Sequence, residues 1–243
     1  MRSLVRRAAA AVLAASFAFP APLLAQSGTG PYLAGRHALF ESDFEQAASY
    51  FSRALSADVG NPGLMENVIV SQLALGRIER ALPVARKMSA DGLKNQAAHM
   101  VIAADRIARG DFEPLLEADQ SADGIGPLID GLLAGWAHMG VGSVAEALAQ
   151  FDRVAEENGL RSFALYHKAL ALAMVGDFEG AEAIYADRQS GLSGLSRRAV
   201  IARAQILSQL GRNAEALEMM ADAFGASFDP GLTAVADGLA AGE

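Results

Sequence analysis

Four histidines and two glycine-flanked strings are the residues of this chain from which chemistry could be assembled. His37, His99, His138 and His167 show no ligand spacing, since none has a second histidine one helical turn away to share a metal. The chain has no cysteine, which removes thiolate metal sites, disulfides and a thiol nucleophile together. Gly140-Val141-Gly142-Ser143-Val144-Ala145 matches G-x-G-x-x-A as a string, but a dinucleotide site needs it to follow a strand and open a helix. Here it reads as the turn between two helices. Gly191-Leu192-Ser193-Gly194 fails as a nucleophile elbow because its second glycine comes one place too early. The expectation is a protein that is not an enzyme, with no cofactor and no metal.

The elements that would have to position any site are more informative. Ser42-Asp43-Phe44-Glu45-Gln46-Ala47-Ala48 returns in variant form as Gly176-Asp177-Phe178-Glu179-Gly180-Ala181-Glu182 and as Gly211-Arg212-Asn213-Ala214-Glu215-Ala216-Leu217. Each copy follows an Ala/Leu-rich amphipathic segment. Aligning this signal puts unit starts near Gly28, Pro62, Gln96, Leu128, Ser162 and Arg197, with a partial seventh from Gly231, at spacings of 34, 34, 32, 34, 35 and 34 residues. Ser42, Gly76, Gly110, Gly142, Gly176 and Gly211 stand where a first helix must close in a left-handed turn. Asp43, Asp111, Ser143 and Asp177 follow as caps for a second helix, while Arg77 and Arg212 break that pattern. Ala47, Ala81, Ala147, Ala181 and Ala216 share one small position, and Phe51, Phe151, Tyr185 and Met220 supply a knob four residues on.

With that period and those positions the chain resembles a tetratricopeptide repeat (TPR) protein, a stack of 34-residue helix-turn-helix units. The resemblance implies an all-α fold: a right-handed superhelical α-solenoid of about six units plus a partial seventh, over residues 26–243.

Three places depart from the pattern. In the third unit Leu115 and Asp119 replace the small residue and the knob, and Pro114 precedes a polar run from Glu117 to Pro127. A shortened second helix and a local change of curvature are expected there. Asp187 to Gly194 ends the fifth unit early and reads as a mobile loop. The segment from Gly231 begins a first helix whose partner helix is missing, so the chain reads either as poorly capped or as the amino-terminal part of a longer repeat protein.

Residues 1–25 read as a secretory signal: basic Met1 to Arg7, an apolar run from Ala8 to Phe19, and cleavage after Ala25. The apolar run is too short to span a membrane core, which needs about 20 apolar residues. The expected product is periplasmic or secreted, without membrane insertion after cleavage. Past the leader, 17 basic and 28 acidic side chains leave a net of -11, a surface that repels nucleic acid and anionic lipid.

The resemblance implies a concave groove lined by the second, fifth, sixth, ninth, twelfth and thirteenth positions of each first helix. In the middle units this gives Met100, Ala104 and Ile107, then Leu132, Trp136 and Met139, then Tyr166, His167 and Leu170. Such an apolar floor suits a peptide, and burial against neighbouring units calls for the same residues. Arg36 and Asn67 match members of the family that clamp carboxylate tails, but Tyr32, Ala97 and Val101 stand where further basic residues are needed. The implied role is a protein-interaction scaffold, binding a peptide or protein segment for a cell-envelope protease, a peptidoglycan enzyme or an assembly machine. The alternatives are a spacer whose partner site lies downstream, and a small-ligand or enzymatic groove.

Overall fold

A computed structural model describes residues 29–117, 124–192, 196–225 and 228–242. The leader with its expected cleavage site lies outside them, as does the polar stretch 118–123. The described residues form thirteen α-helices and no strand. They run as pairs: α1 (Thr29–Phe40) with α2 (Phe44–Ala57), α3 (Pro62–Ala74) with α4 (Ile78–Ala90), α5 (Gln96–Arg109) with α6 (Glu113–Glu117), and α7 (Pro127–Gly140) with α8 (Val144–Glu156). Next come α9 (Arg161–Met174) with α10 (Phe178–Ala186), and α11 (Arg197–Gln209) with α12 (Asn213–Phe224), followed by a single helix, α13 (Pro230–Ala241). The all-α reading of tandem helix pairs therefore holds. The chain divides into two compact units between Val101 and Ile102, inside α5.

The turn within each pair is set by one residue. Ser42, Gly76, Gly110, Gly142, Gly176 and Gly211 all have φ between 60° and 87°, the left-handed region in which a side chain costs roughly 1–2 kcal/mol. The amide after each of them reaches back to the helix just closed, as in Asp43 N to Ala38 O at 2.8 Å, Ser143 N to His138 O at 2.8 Å and Arg212 N to Leu207 O at 2.8 Å. These are the long bonds of Schellman motifs. The next helix then starts at once.

Its caps are only partly those expected. Asp43 accepts from Gln46 N at 3.0 Å and Asp177 from Gly180 N at 2.8 Å. Ser143 has nearly the same backbone angles but makes no such bond. Asp111 stands too early to cap, since α6 begins at Glu113. Arg77 and Arg212 spend their guanidinium groups on carboxylates instead: Arg77 Nη2 lies 2.7 Å from Glu45 Oε2, and Arg212 Nη2 lies 2.6 Å from Glu215 Oε1.

In the unit up to Val101, Phe51 is fully buried among Ala38, Ala47, Ala54, Leu64 and Val68. From Ile102 onward the core is a succession of small clusters, each shared by consecutive helices. That is how a repeat protein distributes its burial, with nearest-neighbour contacts in place of one centre. Ala47, Ala81, Ala147, Ala181 and Ala216 are all fully buried. Each knob answers a small residue 16 positions earlier on the first helix: Gly35 for Phe51, Gly135 for Phe151, Ala169 for Tyr185. In the second unit the sizes are exchanged, with Ile69 and Ala85 at the same two positions, both fully buried.

The irregular places resolve differently. The described part of α6 is five residues long, with Pro114 in its first turn and its carbonyl accepting from Arg106 Nη1 at 3.1 Å. The segment after α10, expected to be a loose loop, is instead a packed turn as far as Leu192. Asp187 caps a 3₁₀ turn at Gln189 N (2.8 Å), Arg161 Nε donates to Gln189 O (3.0 Å), and Ser190 and Leu192 are buried. Leu192 joins Tyr185 and Ile206 in one cluster, filling space that the short α10 leaves. Residues 193–195 lie outside the described set.

α13 packs against both helices of the preceding pair, α11 and α12. Leu232, Ala236 and Leu239 are buried with Val200, Leu207 and Met220, and Asn213 Nδ2 donates to Leu239 O at 2.8 Å. Asp229 accepts from Gly231 N and Leu232 N and is paired with Arg197, which holds its carboxyl well below the usual range.

Candidate functional site

The side chains named from the sequence do not share one fate. Met100 and Ile107, both on α5, are exposed. Leu132, Trp136 and Met139 of α7 are half-buried and pack against the cluster of Ala147, Phe151 and Ala171. Tyr166 sits against the Tyr185 cluster. Ala104 is half-buried on α5.

Trp136 is held as well as packed. Its Nε1–H donates to His167 Nδ1 at 3.0 Å, a bond that places the proton of the neutral imidazole on Nε2. Trp136 meets Phe151 edge-on at 5.7 Å, Phe151 stacks on His167 at 6.4 Å, and Tyr166 meets His167 edge-on at 5.3 Å. Burial pushes the His167 imidazole below its ordinary value, which keeps it a neutral acceptor. The cluster ties α7, α8 and α9 together and leaves part of its edge in solvent.

Leu170 lies on the wall of a cleft of about 550 Å³ between α9, α11 and α13. Met174, Phe178, Val235 and Leu239 give it an apolar lining, and Gln205 and Gln209 add two amides. These residues went unnamed in the sequence reading, although the same position rule reaches several of them. Met174 is thirteenth in the unit starting near Ser162, and Gln205 and Gln209 are ninth and thirteenth in the unit starting near Arg197.

The exposed large hydrophobics of the described residues are distributed unevenly. Leu33, Phe40, Val70, Met100, Ile107, Ile129, Phe163 and Met174 lie on first helices, with Phe40 at 83% and Met174 at 72% exposure. On second helices only Ile78 is exposed, at the first residue of α4; Val59, Val141 and Val175 belong to turns. All eight first-helix residues fall at groove positions of the repeat. Such a surface can take up apolar side chains, and no group of three or more His, Asp or Glu that could hold a metal ion occurs among the described residues. No helix among the described residues is long and apolar enough to cross a membrane.

The sequence matches no family model and no curated protein. In structure it is similar to a TPR protein from Parabacteroides merdae ATCC 43184, at a TM-score of 0.67 and 21% identity over 84% of this chain and 81% of that one. A thermophilic TPR protein in Thermus thermophilus aligns at a TM-score of 0.35 and 19% identity, over 88% of this chain and 98% of that one. At such identities a likeness speaks for fold alone, and with six tandem helix pairs and a thirteenth helix among the described residues, the turn of each pair closed by a residue in the left-handed region, this chain has the fold of a tetratricopeptide repeat protein.

Proposed function

We propose that the protein is an exported scaffold that holds a segment of another polypeptide on the faces of its first helices. One observation carries the reading: among the described residues, eight of the twelve exposed large hydrophobics stand on first helices, all at groove positions. A folded chain has no stability reason to keep Phe40 and Met174 in water, since burying such a side chain is worth about 1.5–3 kcal/mol. Exposed apolar side chains gathered on one set of helices, within each compact unit by itself, mark a surface that another molecule covers. Repeat folds of this kind serve many partners, so the fold itself names no particular one. Export rests on the basic-apolar leader and its small-residue cleavage site, and a cell-envelope protease, a peptidoglycan enzyme or an assembly machine is the class of partner that this location offers.

The test is site-specific photocrosslinking in a native-like host. A benzophenone residue at Phe163 or Met174 should trap a discrete protein partner, and the same probe at the exposed Glu218 of α12 should trap none. Crosslinks arising from Glu218 and not from the first-helix sites would overturn the reading.

A further inference from the structure

The hydrogen bond that joins the first helices of the fourth and fifth pairs has a titratable acceptor. Trp136 of α7 donates its indole N–H to His167 Nδ1 of α9 at 3.0 Å. The lone pair that accepts it is the one a proton would take. A neutral imidazole has one such nitrogen, whereas both nitrogens of an imidazolium are donors. Protonation at Nδ1 therefore sets two N–H groups against each other where one bond stood.

The surroundings offer an imidazolium no counter-charge. Residues three and four positions from Trp136, Phe151 and His167, which share a helix face with them, are all apolar or glycine. The charged groups of the helices packed on α9 are paired, bonded to backbone or in solvent. Lys168 holds both oxygens of Asp152 on α8 at 2.7 Å, and Arg203 of α11 is bonded to Glu182 of α10 at 2.7 Å. Asp130 of α7 accepts from the amides of Ile125 and Gly126, and Arg161 of α9 donates to Gln189 O. Arg197 of α11 is paired with Asp229. Glu146, Arg153 and Glu156 on α8, Glu179 on α10, Arg188 in the 3₁₀ turn and Arg198 on α11 are exposed. Burial keeps the Tyr185 phenol of α10 neutral. His138 is half-buried on α7, two residues from Trp136, and Tyr166 meets the His167 ring edge-on. Burial, and no neighbouring charge, moves the His167 imidazole.

We propose that the Trp136–His167 bond is a proton-operated latch between the fourth and fifth helix pairs. A proton taken from solvent at Nδ1 breaks the bond, frees the indole N–H and turns the imidazolium towards the edge of the cluster that lies in solvent, because an unpaired charge in a half-buried place is costly. α7 and α9 then keep only the apolar contacts around Phe151 and Ala171, and the Trp136 ring enters more polar surroundings. Leu132 and Phe163 stand one turn before the bonded pair on the same two helices, so the latch sets the surface that a partner on the first helices would meet. That last step rests on the scaffold reading above; the latch does not.

The experiment titrates the full chain from pH 8 to pH 4 and follows Trp136 fluorescence, far-UV circular dichroism and the NMR signal of the His167 Cε1–H. Emission should shift to the red in a one-proton transition with its midpoint below about pH 6.5, together with the His167 signal and at constant helicity. The indole N–H should exchange with solvent at least tenfold faster below that midpoint. His167→Gln, whose amide oxygen accepts at every pH, should abolish the shift, and His138→Gln should leave it in place. Trp136→Phe keeps a ring and removes the donor; the His167 midpoint should then rise, since a hydrogen bond to the neutral form disfavours the charged one. Emission that stays constant until helicity is lost would overturn the latch, as would a shift that survives in His167→Gln or a His167 midpoint that Trp136→Phe leaves unmoved. A complete set of latch signals with no photocrosslink from Phe163 at any pH would support the latch and count against the scaffold.

Discussion

The ring of Phe151 occupies the space in which a side chain on residue 135 would begin: a Cβ built there would lie 2.4 Å from the ring's Cε1. Gly35 and Phe51 repeat the relationship in the first pair, at 2.9 Å. The absence of a side chain on α7 is therefore the hole into which the knob of α8 fits, and Phe151 is fully buried as a result.

Gly135→Ala should accordingly destabilise the protein by overpacking, by about 1–3 kcal/mol. Urea denaturation followed by circular dichroism measures it. Adding Phe151→Leu should recover part of the loss, because the smaller side chain makes room for the new methyl group. A Gly135→Ala protein as stable as the parent would mean that α7 and α8 are not in this register.

Ser42 is the one non-glycine residue at positive φ among the described residues, at 60°. Relieving a left-handed side chain is worth about 1–2 kcal/mol, part of it offset by the greater freedom of glycine in the unfolded chain. Ser42→Gly should therefore raise stability by up to about 1 kcal/mol, and Ser42→Ala should not. The pair of denaturation midpoints decides it.

Glu182 is buried and receives two bonds from Arg203, Nε at 3.0 Å and Nη2 at 2.7 Å, with Arg212 3.8 Å away. Arg203→Ala strands that carboxylate, and breaking a buried pair from one side costs about 3–5 kcal/mol. The neighbouring Arg212 should hold the loss near the lower end. Glu182→Gln in the Arg203→Ala background should restore stability, since it removes the unpaired charge. Thermal unfolding of the two variants and their combination gives the answer.

His167 links stability to pH. Its folded value lies below the ordinary one, so the unfolded chain takes up the proton first as pH falls. Stability is then independent of this group above about pH 6.5, declines as acid charges the unfolded imidazole, and levels off below the folded value. The difference in unfolding free energy between the parent and His167→Gln, measured from pH 8 to pH 5, should show this slope. A flat difference would mean that the Trp136–His167 bond does not depend on a neutral ring. Trp136 is the only tryptophan, so its fluorescence reports on the same contact without a label.

The sequence by itself determined whatever is decided within one repeat. A glycine or serine at the end of a first helix closes it whatever lies nearby, so six left-handed turns could be read from six small residues. Likewise Ala47, Ala147 and Ala216 announced the close approach of paired helices at fixed spacing. Tertiary structure decided what depends on distant neighbours. Trp136 has the type and position of an open groove anchor, but Phe151 and His167 hold it in a partly buried cluster. Asp187 to Leu192 has a loop's composition, yet Leu192 is buried because the short α10 leaves a space for it. Gln205 and Gln209 looked like ordinary polar residues of a helix until α9 and α13 supplied the walls that make them part of a cleft. Local backbone rules act over a few residues and are written in those residues; whether a side chain faces water or a neighbour depends on surfaces about 34 residues away, which packing alone brings together.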